Sequence, residues 1–309
     1  MKKFKKVLVG LFAILLAVVA TACSNKSNSS KDGYTPKSLT IQFVPSQAAN
    51  KLEARAKPLE KMLSKKLGIP VHVSMSTDYN TVVEAMKSKK VDVGFLPPDG
   101  YVLAHKQGAA DVLLQSQRYG VKQPGGKATN KLVDYYRAEI LVKKGSKIKS
   151  WKDLKGKSIS VQNPTSSAGY VFPVAELEEK GLNVPKDCKL VTVTGHDQAV
   201  LNVLNGDTDA AFVFEDARNT VKKDNPKIMD QVVPIYFTKP IPNDTISVRS
   251  DMSKSFQKKL AKAFIEVGES KKGKKIIESI YSHEGYTKSK DSNFDIVRKY
   301  NKIIAKDKK

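Results

Sequence analysis

The chain has 309 residues, with 54 lysines and arginines against 31 aspartates and glutamates, so its formal net charge is +23. Such a balance is compatible with nucleic-acid binding, but the lysines are spread evenly and no nucleic-acid-binding motif accompanies them. Two cysteines exclude a disulfide framework, and four widely separated histidines give no metal-ligand spacing. We therefore expect no nucleic acid, metal or cofactor as a partner.

The first residues have the pattern of a secretory signal. Four lysines precede an apolar run from Val7 to Ala20, which is too short for a membrane span, and small residues follow it up to Cys23. Small residues that end at a cysteine resemble a bacterial lipobox, although Ala20 stands where leucine is usual. Ordinary secretion with cleavage nearby is the alternative.

We predict a signal peptide over residues 1–22, lipidation of Cys23 and a flexible tether over residues 23–37, which is rich in serine, asparagine and lysine. Loss of the four signal lysines leaves a formal charge of +19 on the mature chain. These features predict a protein anchored by lipid to the extracellular face of the cell membrane.

From residue 39 onward, the hydrophobic pattern alternates between strand and helix periods. We predict strands at 39–44, 71–75 and 91–96, and helices at 51–67 and 81–89; Pro58 either kinks the first helix or marks its real start. The middle of the chain repeats this order, with strands at 158–161, 190–193 and 210–214 and helices at 170–180 and 198–205. The pattern predicts an α/β fold of two similar lobes, each a mostly parallel sheet with flanking helices.

Two extended segments are predicted to connect the lobes, at residues 136–143 and at the proline-rich 232–248. Residues 119–132 contain Pro-Gly-Gly and are predicted to form an exposed loop. Helical periods resume at 256–267, 274–281 and 294–304, and we place these helices on the first lobe. The first lobe then comprises residues 38–138 and 243–309, and the second lobe residues 139–242, with the ligand cleft between them.

Ligands of open α/β sheets bind beyond the carboxyl ends of the strands, and polar residues follow all six predicted strands. The candidates are Ser46, Gln47, Tyr79 and Tyr101 in the first lobe, and Thr165, Ser166, Ser167, His196, Asp197, Glu215 and Asp216 in the second. The hydroxyl-rich turn before the helix at 170 is the strongest of these features, because free amides and the helix dipole favour an oxyanion there. Gly169 would let the backbone approach a guest closely.

Each candidate also has a purely structural alternative. Thr165 or Ser166 would serve as a helix N-cap, the tyrosines would pack at a lobe surface, and His196 would pack at a helix N-terminus. Asp197 would complement the helix dipole. Glu215 and Asp216 would be solvated loop carboxylates.

Several motifs resemble those of one known class. The segment 150–157 contains Trp-x-Asp-Leu-Lys-Gly-Lys, which is similar to the start of the second lobe in extracellular solute-binding proteins of ABC importers. Within that class, the turn 164–170 (Pro-Thr-Ser-Ser-Ala-Gly-Tyr) resembles the Pro-x-Ser-Thr-Ser-Gly-Tyr turn of the phosphonate/phosphite/phosphate-binding family. The segments 78–86, 195–200 and 204–211 also resemble that family.

The resemblance implies a two-lobed periplasmic-binding-protein fold of type II and a transport role without catalysis. A monomer would capture a phosphonate-like oxyanion outside the cell and deliver it to an ABC permease and its ATPase. By family match, Ser166 and Ser167 would hold the phosphonyl oxygens with backbone amides, and Tyr79, Tyr101 and His196 would close over them.

Two departures from the family pattern bear on ligand choice. Ala168 stands where a third hydroxyl is frequent, and Phe214 stands where an acidic residue often follows the last strand. We therefore expect a preference for compact ligands without an amine, unless Glu215 or Asp216 supplies the missing charge. An enzyme would need a nucleophile with a fixed base, and no G-x-S-x-G elbow is present. A surface receptor or adhesin on the same fold remains the alternative function.

Overall fold

The computed structural model describes residues 32–306. The predicted signal peptide 1–22, Cys23 and the tether up to residue 31 lie outside the described residues, as do residues 307–309. In the described part, no helix combines the length and apolar character needed to cross a membrane.

The strands are β1 (Leu39–Phe43), β2 (Val71–Met75), β3 (Val93–Leu96), β4 (Ala110–Lys122), β5 (Lys127–Val133), β6 (Tyr135–Tyr136), β7 (Ala138–Lys143), β8 (Ser158–Val161), β9 (Lys189–Thr192), β10 (Ala210–Phe214), β11 (Val232–Phe237), β12 (Ile241–Pro242), β13 (Thr245–Arg249) and β14 (Gly285–Lys288). The α-helices are α1 (Ala49–Ala56), α2 (Pro58–Leu67), α3 (Tyr79–Lys87), α4 (Pro98–Lys106), α5 (Phe172–Glu178), α6 (Val184–Asp187), α7 (His196–Asn205), α8 (Ile228–Gln231), α9 (Lys254–Glu269), α10 (Lys271–Tyr281) and α11 (Asp295–Lys306). Pro58 is the first residue of α2, so it marks a helix start.

Two sheets form the two lobes, which confirms the predicted fold class. The first sheet has the order β14-β4-β13-β3-β1-β2, with β5 paired to β4, and the second has the order β11-β7-β10-β8-β9. Strands β2-β1-β3 and β9-β8-β10 are parallel. The other strands of both sheets are antiparallel to their neighbours, so the sheets are mixed and less parallel than predicted.

The two connections between the lobes run side by side. Strand β6 pairs with β12 in a separate two-stranded sheet, with Tyr136 opposite Ile241. These paired segments lie where the chain leaves the first sheet for β7 and where it returns to β13. The boundaries after residues 138 and 242 remain a prediction, although this pairing supports them.

The prediction of a loop at residues 119–132 is wrong. Strand β4 continues to Lys122 and pairs antiparallel with β5, with Arg118 opposite Val133, and Pro124–Gly126 occupies only the turn. We call residues 119–133 the hairpin arm. Strand β5 is exposed along nearly its whole length and lacks a buried apolar face, so its sequence carries no alternation typical of a half-buried strand.

The last three helices differ in what they contact. Helices α9 and α10 bury Phe264 and Ile277 in the core of the first sheet. Helix α11 contacts both lobes: Asn301 Nδ2 donates to Asp99 Oδ1 of α4 at 2.8 Å, while Tyr300 packs edge-on against Phe172 of α5 at 4.8 Å and donates to Glu176 Oε1 at 3.1 Å. The assignment of α11 to the first lobe therefore stays a prediction.

Candidate functional site

A small cavity lies between the two lobes and has a volume of ≈ 60 Å³. The lining residues are Val44, Ser46, Gln47, Tyr79, Phe95, Pro97, Arg118, Tyr136, Ser166, Ser167, Ala168, His196, Phe214, Asn243, Asp244, Tyr281 and Ser282. Both sheets and both connecting segments contribute to this wall. Pockets for drug-sized ligands measure roughly 300–1,000 Å³, so this cavity suits a compact guest.

The turn at the start of the second lobe's first helix forms one wall. Ser166 is the N-cap of a π-helical turn over Ser167–Val171, which continues directly into α5, and its Oγ accepts a hydrogen bond from Gly169 N at 3.2 Å. Ser167 and Ala168 are the first residues of that turn, where backbone amides have no acceptor within the helix. Ser167 Oγ accepts from Asp99 N of the first lobe at 3.2 Å.

Six of the predicted candidates line the cavity together: Ser46, Gln47, Tyr79, Ser166, Ser167 and His196. Tyr79 is the first residue of α3, which Asp78 caps through a hydrogen bond from Asn80 N to Oδ1 at 2.7 Å. His196 is the first residue of α7, and burial lowers its pKa to about 3, so the imidazole is neutral at physiological pH. Its Nδ1 is buried and has no hydrogen-bond partner among the described residues.

Tyr101 and Thr165, also predicted as site residues, do not line the cavity. Tyr101 turns into the first lobe, where its hydroxyl donates to Asp291 Oδ1 at 2.7 Å and its ring packs on Phe294 at 4.7 Å. Thr165 Oγ1 donates to Asn80 Oδ1 at 3.0 Å at the lobe interface. The structure therefore corrects the expected position of both side chains, which hold neighbouring elements together.

Gly169 and Glu215 lie behind the wall as well. A Cβ at Gly169 would come within 1.7 Å of Gln162 Oε1, so this position has no room for a side chain, while the close approach of its backbone to a guest stays a prediction. Glu215 accepts hydrogen bonds from Gln123 Nε2 of the hairpin arm and from Arg137 N. Burial raises the pKa of Glu215 to about 7, and its carboxyl faces the arm instead of the cavity.

Six polar residues of the lining were not predicted as site residues: Arg118, Tyr136, Asn243, Asp244, Tyr281 and Ser282. Arg118 is only 6% exposed; its Nη2 donates to Asp216 at 2.5 Å, while its Nε has no hydrogen-bond partner among the described residues. Asn243 Nδ2 is likewise buried without a partner in the described part. The signal for Arg118 was an isolated arginine at the end of a strand-like run, immediately before the segment predicted as a loop.

The cavity concentrates hydrogen-bond donors. Burial alone would lower the pKa of Arg118, but the adjacent Asp216 carboxylate raises it above its ordinary value, so the guanidinium stays charged. Arg118 Nε and Asn243 Nδ2 are buried and unsatisfied, which costs free energy unless a guest accepts from them. Together with the amides of the turn at Ser167, they form an arrangement that can hold a compact oxyanion. The described residues contain no cluster of histidine, cysteine and acidic side chains able to hold a metal.

Direct hydrogen bonds hold the two walls together around the cavity. His196 N donates to Ser46 O at 2.9 Å, and Ala48 N donates to Asp197 Oδ2 at 3.1 Å. Asp197, predicted to complement the helix dipole, therefore also joins the lobes. The structure shows the lobes in contact, with the cavity between them.

Comparisons with known proteins show which family the chain belongs to. Residues 41–294 match the family described as "ABC transporter, phosphonate, periplasmic substrate-binding protein". The chain is 30% identical over 213 residues to the Phosphate-import protein PhnD of Mycolicibacterium smegmatis, a match covering 66% of this chain and 64% of that relative. It is 23% identical over 248 residues to the Phosphonates-binding periplasmic protein of Escherichia coli, covering 79% of this chain and 70% of that relative.

A solved structure shares the fold. PhnD1 from Prochlorococcus marinus in complex with methylphosphonate has a TM-score of 0.74 and 19% identity, and the match covers 88% of this chain and 100% of that one. The family model covers most of the chain, and the resemblance drawn from the motifs is confirmed. The chain therefore belongs to the family of periplasmic substrate-binding proteins of phosphonate ABC transporters.

Proposed function

We propose that this protein captures a small phosphorus oxyanion (phosphonate, phosphite or phosphate) outside the cell membrane and delivers it to an ABC permease driven by its ATPase. The observation that carries the proposal is the cavity between the lobes, whose lining combines the helix-starting turn at Ser167 with Arg118 and Asn243, two residues with buried side-chain donors that have no hydrogen-bond partner among the described residues. Tetrahedral oxyanions accept several directed hydrogen bonds, which is what such a wall supplies.

The proposed roles of the site residues follow from their positions. Ser166 and Ser167 offer hydroxyls and the amides of the turn, while Tyr79 and the neutral His196 close the cavity from the opposite lobe and from α7. Residues Tyr101, Thr165, Gly169 and Glu215 support the wall from behind, through the contacts described above. These contacts are those of a binding protein, and we propose no catalytic step.

The proposed location is the extracellular side of the membrane, with a lipid on Cys23 as the anchor. We propose that the protein acts as a monomer, since a net charge far from zero opposes self-association. Changing Cys23 to serine should move the protein from the membrane fraction to the medium, whereas retention at the membrane would contradict lipid anchoring.

Transport is tested by uptake. Cells that lack this gene should lose most of their uptake of radiolabelled methylphosphonate, phosphite or phosphate, and the wild-type gene should restore it. Restoration should fail with the Ser166→Ala/Ser167→Ala double variant at equal protein levels. Unchanged uptake in the deletion strain, together with retained ligand binding in vitro, would favour a receptor on the same fold.

A further inference from the structure

The hairpin arm extends from the sheet of the first lobe and reaches the second lobe. Strand β4 pairs with β13 and β14 of the first sheet up to Gln117, and from Arg118 onward it pairs with β5. Strand β5 and most of the turn are exposed, yet Gly126 at the tip is buried. Residues of the second lobe cover it, because a Cβ at Gly126 would lie 3.7 Å from Met229 Cε and 3.8 Å from Glu215 O.

Two carbonyls at the tip of the arm accept hydrogen bonds from the second lobe. Arg218 Nη2 donates to Pro124 O at 2.7 Å, and Asn219 Nδ2 donates to Gly126 O at 3.0 Å. Both donors belong to the short 3-10 helix Ala217–Thr220, which follows β10. These contacts hold the tip at a defined place on the second lobe, where a free turn would bind water instead.

Side chains of the arm and of its root make two more contacts with the same segment. Gln123 Nε2 donates to Glu215 Oε2, and Arg118, directly before the arm, is ion-paired with Asp216. Residues 215–219 of the second lobe therefore contact the arm at both its root and its tip. Arg118 also lines the cavity, so the contacts that fix the arm also restrict the guanidinium that would bind the anion.

Arg218 is a rigid anchor for the tip. It is 2% exposed, its Nη1 donates to Val232 O at 3.1 Å, and its Nε lies 3.5 Å from Oε1 of the fully buried Glu139. These contacts tie the guanidinium to β11 and β7 of the second sheet and leave Nη2 for Pro124 O. Burying an arginine is costly unless its donors find partners, so the arm completes the pairing of a buried charge.

The contacts of the tip depend on how close the two lobes are. The arm is continuous with the first sheet, whereas Arg218, Asn219 and Glu215 belong to the second lobe, so separation of the lobes would break the contacts. Interactions that exist in only one of two conformations shift the equilibrium toward that conformation. A ligand held between closed lobes would therefore gain affinity from the arm without touching it.

We propose that the hairpin arm is a third connection between the lobes, beside the two chain crossings. Arg218 and Asn219 are positioning residues in this account: by holding the tip of the arm they keep Arg118 in place and slow the release of the bound anion. This inference rests on the proposed function and deepens it.

The experiment compares anion binding by wild type, by Asn219→Ala, by Gln123→Ala and by an arm-shortened protein in which Asn-Gly replaces residues 120–131. A two-residue turn of this sequence closes a hairpin, and it keeps Arg118 paired with Val133. Calorimetry measures Kd for methylphosphonate, phosphite and phosphate. Rapid dilution of complexes with the radiolabelled anions measures the release rate.

Asn225→Ala is the matched control for Asn219→Ala. Asn225 Nδ2 also donates to a backbone carbonyl, that of Val221 at 3.3 Å, but this contact lies within the second lobe and away from the arm. Asn225→Ala should therefore bind anions like wild type.

For each anion that wild type binds, Asn219→Ala and Gln123→Ala should each raise Kd about 3- to 10-fold, as expected for the loss of one hydrogen bond. The increase should appear in the release rate. The arm-shortened protein should lose at least about tenfold in affinity. Adding Asn219→Ala to it should change Kd by less than about twofold, because the partner of Asn219 is already gone.

The outcomes separate this inference from the proposed function. Wild-type Kd and release rate in Asn219→Ala and in the arm-shortened protein would overturn the role of the arm and leave the function standing. An equal loss from Asn219→Ala with and without the arm would also overturn it. Wild type that binds none of the three anions at millimolar concentration would refute the proposed function and this inference with it.

Urea unfolding of the ligand-free variants checks that they are folded. If the arm-shortened protein does not fold, the double variant Gln123→Ala/Asn219→Ala decides: it should release the anion faster than wild type and Asn225→Ala. An unchanged release rate in that double variant would overturn the inference.

Discussion

Arg118 is the buried cation of the cavity, and its removal should weaken anion binding strongly. The guanidinium is 6% exposed and its Nε lacks a partner among the described residues, so a bound anion would gain a charge-assisted hydrogen bond there. Such a bond contributes about 1.5–3 kcal/mol, which corresponds to roughly a 10- to 150-fold increase in Kd. We expect Arg118→Met to show a loss of at least this size.

The single variant also leaves the Asp216 carboxylate, 13% exposed, without its partner. Breaking a buried pair in this way costs about 3–5 kcal/mol of folding stability, so the decisive variant is Arg118→Met/Asp216→Asn, which removes both charges. Calorimetry with methylphosphonate should give the same 10- to 150-fold loss, roughly, in the double variant, while urea unfolding without ligand should show most of the stability restored. A double variant that binds within about twofold of wild type would refute the reasoning, because one charge-assisted contact is worth more than that.

Three further predictions concern the turn, the lobes and a buried acid. Ser166→Ala and Ser167→Ala should each weaken ligand binding by roughly 1–3 kcal/mol, with Ser88→Ala on the exposed end of α3 as a control; wild-type calorimetric affinity in both would remove the turn from the site. Saturating ligand should lower the radius of gyration in solution scattering by favouring the arrangement described above, in which the lobes are in contact, and an unchanged profile at proven saturation would indicate that the cleft is rigid or already closed. Burial raises the pKa of Asp99 from 3.8 to about 7. Between these two pH values the folded protein holds a proton that the unfolded chain has released, so the free energy of unfolding falls as the pH rises from 3.8 to about 7. Denaturant unfolding at pH 5 and pH 8 should therefore show a smaller pH-dependent loss in Asp99→Asn than in wild type, and equal losses would contradict this.

Much of the fold followed from periodicity in the sequence. Buried apolar residues alternate in β1 and recur at helical spacing in α2, and the prolines of the return segment exclude a helix. The strands of the hairpin arm were not predicted, because β5 is exposed on both faces and is held only by its pairing with β4. The path of the arm is set by strand pairing, which local hydrophobic patterning does not reveal.

The site was predictable only where it sits at the ends of parallel strands. Ser166, Ser167, Tyr79 and His196 follow such strands, and the structure brings them together around one cavity. Arg118 comes from an antiparallel strand, and Asn243 and Asp244 come from the return connection; their convergence depends on how the lobes pack. Tyr101 follows a parallel strand but lies outside the cavity, because its side chain turns into the first lobe. A position beyond a strand end therefore does not by itself place a side chain in the site.

The central claim is that this protein binds a phosphorus oxyanion in the cavity between its lobes. The most direct measurement is thermal unfolding of the protein with methylphosphonate, phosphite, phosphate or sulfate, since a ligand at 100 times its Kd stabilises the native state by about 2.7 kcal/mol. We predict a concentration-dependent rise in Tm with at least one phosphorus anion, little or none with sulfate, and loss of that rise in Ser166→Ala/Ser167→Ala. No rise with any phosphorus anion at millimolar concentration, or an equal rise in the double variant, would contradict the account.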